Sequence, residues 1–222
     1  AESLEFKAIH GVASFLLGRI EEAAQDLLEP EFGVDPSVAL WRAAVLAEQG
    51  TWDEARQEFM LGAISFPDLT KEMRVRLQLI AADTAFQSGE LAGAELELES
   101  IDPEEVTPAD VSKGKLIIGR TRLAMGDRLG ALQILEEVIE EQYPPTWAEA
   151  QVAHTNARFG AGEIDAAEAI DRLENLMKAL SIDNNQRDPD TEFCCDGNPP
   201  PGAKPSCPNP VYDKNPDNEC CH

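Results

Sequence analysis

Through most of residues 1–180 the apolar residues recur at intervals of three and four, and glycine interrupts the stretches they mark at regular distances. Such spacing puts the apolar residues on one side of an α-helix, whereas a strand would alternate every second residue. In one stretch Ala55, Phe59 and Ala63 follow each other every fourth residue as a single stripe, which Pro67 ends. Ten helices are predicted, at roughly 2–17, 19–29, 37–49, 53–66, 70–88, 91–100, 108–125, 128–142, 146–161 and 164–179.

Five glycines join these helices in pairs, and each has an alanine five residues after it: Gly18/Ala23, Gly50/Ala55, Gly89/Ala94, Gly126/Ala131 and Gly162/Ala167. The steps between them are 32, 39, 37 and 36 residues, which marks an internal repeat. Glycine enters the left-handed conformation that ends a helix without the strain a Cβ would bring. The small alanine then lets the returning helix cross its partner closely. Five antiparallel helical hairpins are expected. Each buries its apolar side only by stacking on a neighbour. Ile170, Leu173, Leu176, Met177 and Leu180 share one side of the last helix, as suits a cap at the end of a stack.

These units resemble tetratricopeptide repeats. Ala43, Gly50, Ala55, Phe59 and Pro67 follow the family's pattern in the second unit, Gly11, Gly18, Ala23 and Leu27 in the first, and Gly119, Gly126, Ala131 and Leu135 in the fourth. The third and fifth units keep Gly and Ala without the closing Pro, and the fifth has Asp171 where the pattern has a large apolar residue. The resemblance implies an all-α fold, a right-handed superhelical stack of about five antiparallel hairpins (a TPR-like α-solenoid). It also implies a concave groove, lined by the first helix of each pair, that binds a partner peptide or protein. In the family's register Arg76, Lys113 and Arg120 face that groove, with Leu79, Phe86, Leu116, Leu123, Val152, Asn156 and Phe159 as neighbours.

Charge narrows the partners. Eighteen Lys and Arg against 42 Asp and Glu leave a formal charge of -24, which repels a phosphate backbone and an anionic membrane surface alike. No apolar run reaches the roughly 20 residues that a membrane span needs. Eight cations nevertheless fall on the first helices of the last three units: Lys71, Arg74, Arg76, Lys113, Lys115, Arg120, Arg122 and Arg158. One reading is a locally basic, partly apolar groove for an acidic partner segment. The other is that these cations pair with the acidic second helices, a common arrangement that contributes little. A protein or peptide partner is expected, acidic in the first reading.

Chemistry-bearing motifs do not compete with this picture. The sequence has no glycine-rich phosphate loop, nucleophile elbow or metalloprotease helix motif, so neither catalysis nor a cofactor is expected. His10 and His154 stand whole repeats apart, and Trp41, Trp52 and Trp147 suit packing.

A different composition begins near residue 181. All five cysteines, Cys194, Cys195, Cys207, Cys220 and Cys221, lie beyond it among prolines and asparagines. The domains expected are a helical repeat region, 1–180, and a Cys/Pro-rich irregular tail, 181–222. Three readings of the tail stay open: a small disulfide-stapled module, an unstructured extension, or a thiolate or calcium site. Oxidised cysteines would put the protein in the periplasm or outside the cell, and reduced ones would suit the cytoplasm equally. The alternative function follows: a secreted or periplasmic protein whose tail is the binding or metal-binding element, presented by the repeats. The sequence sets no oligomeric state.

Overall fold

In the computed structural model, residues 3–186 are described, with side chains described to residue 181. The domain expected at 181–222 and the five cysteines therefore lie almost wholly outside the described residues. Among those described the fold is all-α, with ten α-helices and no strand: α1 Leu4–Leu16, α2 Ile20–Leu27, α3 Pro36–Glu48, α4 Trp52–Gly62, α5 Lys71–Gln87, α6 Leu91–Glu99, α7 Pro108–Met125, α8 Arg128–Glu141, α9 Thr146–Gly160 and α10 Ala166–Gln186. Two compact units divide the chain between Asp165 and Ala166.

Helix starts are set by local side-chain chemistry. Ser3 accepts a hydrogen bond from the Phe6 amide, Asp35 from Ser37 and Thr70 from Met73. Thr107 and Asp110 cap α7 reciprocally, and Pro108 occupies the first helical position, where no amide hydrogen is needed. The turns use the predicted glycines. Gly18, Gly50, Gly89, Gly126 and Gly162 have φ of 74°, 76°, 83°, 89° and 71°. Each closes its turn with the same two backbone bonds: the glycine amide reaches back three residues, as in Gly126 to Leu123, and the next amide reaches back five, as in Asp127 to Arg122. This paired bonding is the Schellman motif, which satisfies carbonyls the helix end would otherwise leave open.

Pairing follows from those turns. Helices α1 and α2, α3 and α4, α5 and α6, and α7 and α8 pack as hairpins. Successive hairpins touch through α2–α3, α4–α5, α6–α7 and α8–α9, and each odd-numbered helix up to α7 also touches the next odd one. The alanines Ala23, Ala55, Ala94 and Ala131 are fully buried. Opposite the crossing, Gly11 sits against Leu27 and Gly119 against Leu135, so that a Cβ on either glycine would come within 3.0 Å of the leucine.

The core of the first unit falls into three parts along the hairpins. Phe15, Leu27, Leu40, Trp41, Phe59 and Leu77 form its first part, Val75, Leu79 and Ile117 its second, and Leu116, Leu135, Val138 and Ala150 its third. Adjacent residues Leu116 and Ile117 belong to different parts, because α7 has neighbours on both sides. Burial of each large side chain here stabilises the fold by about 1.5–3 kcal/mol.

Three departures from the expected elements have physical causes. Helix α4 stops at Gly62 and continues as a 3-10 stretch, Ala63–Asp68, that contains Pro67. Proline has no amide hydrogen and its ring crowds the carbonyl four residues back, so the last turn tightens before the predicted end. A short 3-10 turn, Pro30–Phe32, precedes α3. Helix α10 runs past the expected end at 179 and through residue 181, the first proline beyond it being Pro189. The fifth repeat also departs from the pattern. Ala167 is exposed, and on the side of α10 expected to be covered Ile170 and Met177 are 57% and 66% exposed.

Candidate functional site

The expected groove residues lie on α5, α7 and α9. Counting back from each turn glycine aligns them: Arg76, Lys113 and Glu149 stand thirteen residues before it, Asp83, Arg120 and Asn156 six before, and Phe86, Leu123 and Phe159 three before. Because consecutive odd-numbered helices pack together, equal positions become neighbours. Arg120 lies with its guanidinium carbon 4.9 Å from the centre of the Phe86 ring. Its Nη1 is 4.0 Å from Asp83 and 3.7 Å from Glu149, and Lys113 Nζ is 3.9 Å from the same Glu149 carboxylate. The structure thus brings Phe86, Lys113 and Arg120 together with Asp83 and Glu149 into one cluster spanning α5, α7 and α9. Arg76 instead lies over Phe15 of α1, 5.3 Å from the ring centre.

Asn156 is exposed, Phe159 is 48% exposed and Val152 39% exposed on α9, where they offer polar and apolar surface to solvent. Two expected contact residues do not. Leu116 is fully buried against Leu135, Val138 and Ala150, and Leu79 is 7% exposed beside Val75, Ala82 and Ile117. Both are core residues, since α5 and α7 are flanked on two sides and bury more of their circumference than a one-sided helix would. Leu123 is half-buried at the edge of the same core.

Asp83 and Glu149 were not among the expected residues, and they change the electrostatics. With Glu149 between Lys113 and Arg120, and Asp83 on the other side of Arg120's reach, the surface is of mixed charge rather than basic. Repeat register carries the signal that finds them, because cation and carboxylate fall at equal distances from successive turn glycines. The distances of 3.7–4.0 Å and the partial exposure of every member mark loose pairs, each worth little in water.

Other cations of the first helices are engaged elsewhere. Lys71 and Arg74 face Glu105, and Arg158 faces Glu163. Lys115 reaches Glu141 at 2.7 Å and Glu137 at 2.9 Å on α8. Those hydrogen bonds, Glu141 foremost, hold its ammonium above the ordinary lysine range. Glu163 is held below the usual carboxylate range by its hydrogen bond from Arg128. For these residues pairing with acidic neighbours is the observed arrangement. Among the described residues Arg76 and Arg122 form no ion pair.

Both histidines have a carboxylate partner from the second helix of their own or the preceding hairpin. His10 Nδ1 lies 2.5 Å from Asp26, and the buried His154 places Nε2 3.2 Å from Glu136. Among the described residues no three His, Cys, Asp or Glu are grouped as metal ligands would be, and no helix is long and apolar enough to cross a membrane. Trp41 is buried at 8% exposure, edge-on to Phe15. Comparison of the chain with protein-family models, with curated proteins and with solved structures returned no match.

Proposed function

We propose that the chain is a non-catalytic scaffold of tetratricopeptide type, a right-handed superhelical stack of helical hairpins that holds a segment of a partner protein along its first helices. The observation that supports this reading most directly is the register of α5, α7 and α9, where Asp83 faces Arg120 and Lys113 faces Glu149, each pair at equal distance from its turn glycines. Neighbouring helices are about 8–10 Å apart and an extended chain rises about 3.3 Å per residue, so each helix would meet about three residues of such a segment. Phe86, Leu123 and Phe159 supply the apolar row. Lys113 and Arg120 would fix a partner carboxylate, which must displace Asp83 or Glu149 from them. The looseness of those internal pairs makes the exchange inexpensive.

The test is capture from a peptide library displaying acidic and neutral extended segments, comparing the wild-type chain with an Arg76→Glu/Lys113→Glu/Arg120→Glu variant of equal helicity. Loss of acidic segments in the variant supports the groove. Capture of the same set by both proteins overturns it.

A further inference from the structure

We propose that α1 is a self-association surface, on which a second copy of this chain packs its own α1 in antiparallel orientation. This inference stands apart from the groove reading. It concerns the opposite end of the first unit, and either can fail without the other.

Helix α1 turns Gly11, Ser14 and Phe15 inward and packs on α2 and α3. On its other side Phe6, Ile9, Ala13 and Leu17 follow one another at steps of three, four and four, which places them in one ridge. All four are exposed: Phe6 at 51%, Ile9 at 65% and Leu17 at 69%, with Ala13 between them. Exposed large apolar residues such as Val34, Leu96 and Leu129 stand singly and need no explanation, but a contiguous ridge does.

Charge indicates what covers it. The chain as a whole is strongly acidic, so two copies repel each other over most of their surface. Helix α1 departs from this, as α3 and α9 do: its only formally charged side chains are Glu5 and Lys7, and Lys7 is drawn to Glu29 of the following segment at 2.7 Å. The ridge itself is uncharged. Glu5 lies near its start, and just beyond its end stands the exposed Arg19, loosely paired at 3.5 Å with the exposed Glu22.

The order of residues along the ridge is self-complementary when read in reverse. About a two-fold axis near Gly11 and Val12, the middle of the ridge, Phe6 of one copy meets Leu17 of the other, and the bulky Ile9 meets the small Ala13. Glu5 meets Arg19 at both ends. A parallel pairing would set Phe6 on Phe6, leave a gap between the two Ala13 residues and bring the Glu5 carboxylates together. An isologous contact of this kind closes at two copies. A single helix of 13 residues presents a ridge of about 20 Å, short of a standard interface, so the association is reversible and weak.

Sedimentation velocity over a concentration series tests this on the full chain with its cysteines kept reduced. The wild-type chain is expected to pass reversibly from monomer to dimer. Ile9→Asp is expected to weaken the dimer roughly 100-fold, because the change occurs twice across the axis, with far-ultraviolet circular dichroism unchanged. Arg19→Glu is expected to weaken it as well, and the exchange Glu5→Arg/Arg19→Glu to restore it. A wild-type chain that stays monomeric, a dimer indifferent to Ile9→Asp, or a charge exchange no better than Arg19→Glu alone would each overturn the proposal.

Discussion

Arg120 and Phe86 sit one hairpin apart, and the guanidinium of the first covers the ring of the second at 4.9 Å from its centre. The contact ties α7 to α5 on the same surface where Asp83 and Glu149 flank the cation. A guanidinium over an aromatic face at a partly exposed site contributes about 0.5–1 kcal/mol. Urea unfolding of Arg120→Gln, Phe86→Leu and the double variant should therefore give a coupling energy of that size. If the two single effects simply add, the ring and the cation are bystanders to each other.

Arg42 is the buried cation of the first unit, its side chain 8% exposed. Its Nη2 and Nε donate to Glu58 at 2.6 and 3.1 Å, and Nη1 donates to the Gly33 carbonyl at 2.9 Å. The guanidinium thus binds α3 to α4 and to the turn before α3. Glu58→Ala strands the charge and should lower stability by about 2–3 kcal/mol, whereas Arg42→Met/Glu58→Leu should recover most of that loss. Denaturant midpoints of the two variants decide it: equal losses would mean that packing, not the orphaned charge, controls the site.

Two glycines near helix contacts should respond in opposite directions. A Cβ on Gly11 would lie 2.6 Å from Leu27 Cγ, whereas one on Gly160 would meet nothing within 4 Å. Gly11→Ala therefore forces α1 from α2 and should cost about 1–3 kcal/mol, more than the helix propensity alanine brings. Gly160→Ala keeps only the propensity gain and should stabilise α9 by up to about 1 kcal/mol. Thermal unfolding of the pair gives the signs directly.

Asp35 provides an acid-sensitive element. Hydrogen bonds from the Ser37 hydroxyl, and then from the Ser37 amide, hold its carboxylate below the ordinary aspartate range. A carboxylate whose folded pKa is depressed stabilises the fold above its unfolded value of about 3.9 and ceases to do so as the pH falls through the folded value. Asp35→Ala should thus cost about 1 kcal/mol near neutrality, and the difference from the wild-type chain should shrink below about pH 4. Lys115 works in the other sense: its raised pKa stabilises the fold below the unfolded value of about 10.4, and that contribution fades as the pH rises through the folded value. A stability difference for Asp35→Ala that is flat from pH 7 to acid would remove the capping carboxylate from the account.

What the sequence made legible is what is decided locally. Gly18, Gly50, Gly89, Gly126 and Gly162 announce their turns because few other residues tolerate the backbone angle those turns require, and four of the five following alanines are buried as expected. Pairings between hairpins were harder to read, since they depend on how far one helix slides along the next. Glu149 and Asp83 became visible as partners of Arg120 only when the helices were laid side by side. Leu79 and Leu116 were misplaced for a related reason. A helix covered on two sides hides residues that one-sided amphipathicity would leave in a groove. Ala167 marks where the repeat weakens, and Asp171 in place of a large apolar residue had signalled it.

The glycine-closed turns have a consequence for how the first unit comes apart. Each Schellman turn satisfies its own carbonyls within a few residues of chain, and apart from Arg76 of α5 over Phe15 of α1 the helix contacts reach no farther than the adjoining hairpin. Among the described residues the α1–α2 hairpin is therefore gripped from one side and the α5–α6 hairpin from two. Opening should travel inward like a row of books losing its outermost volume, with the amides of α1 and α2 exchanging with solvent sooner than those of α5.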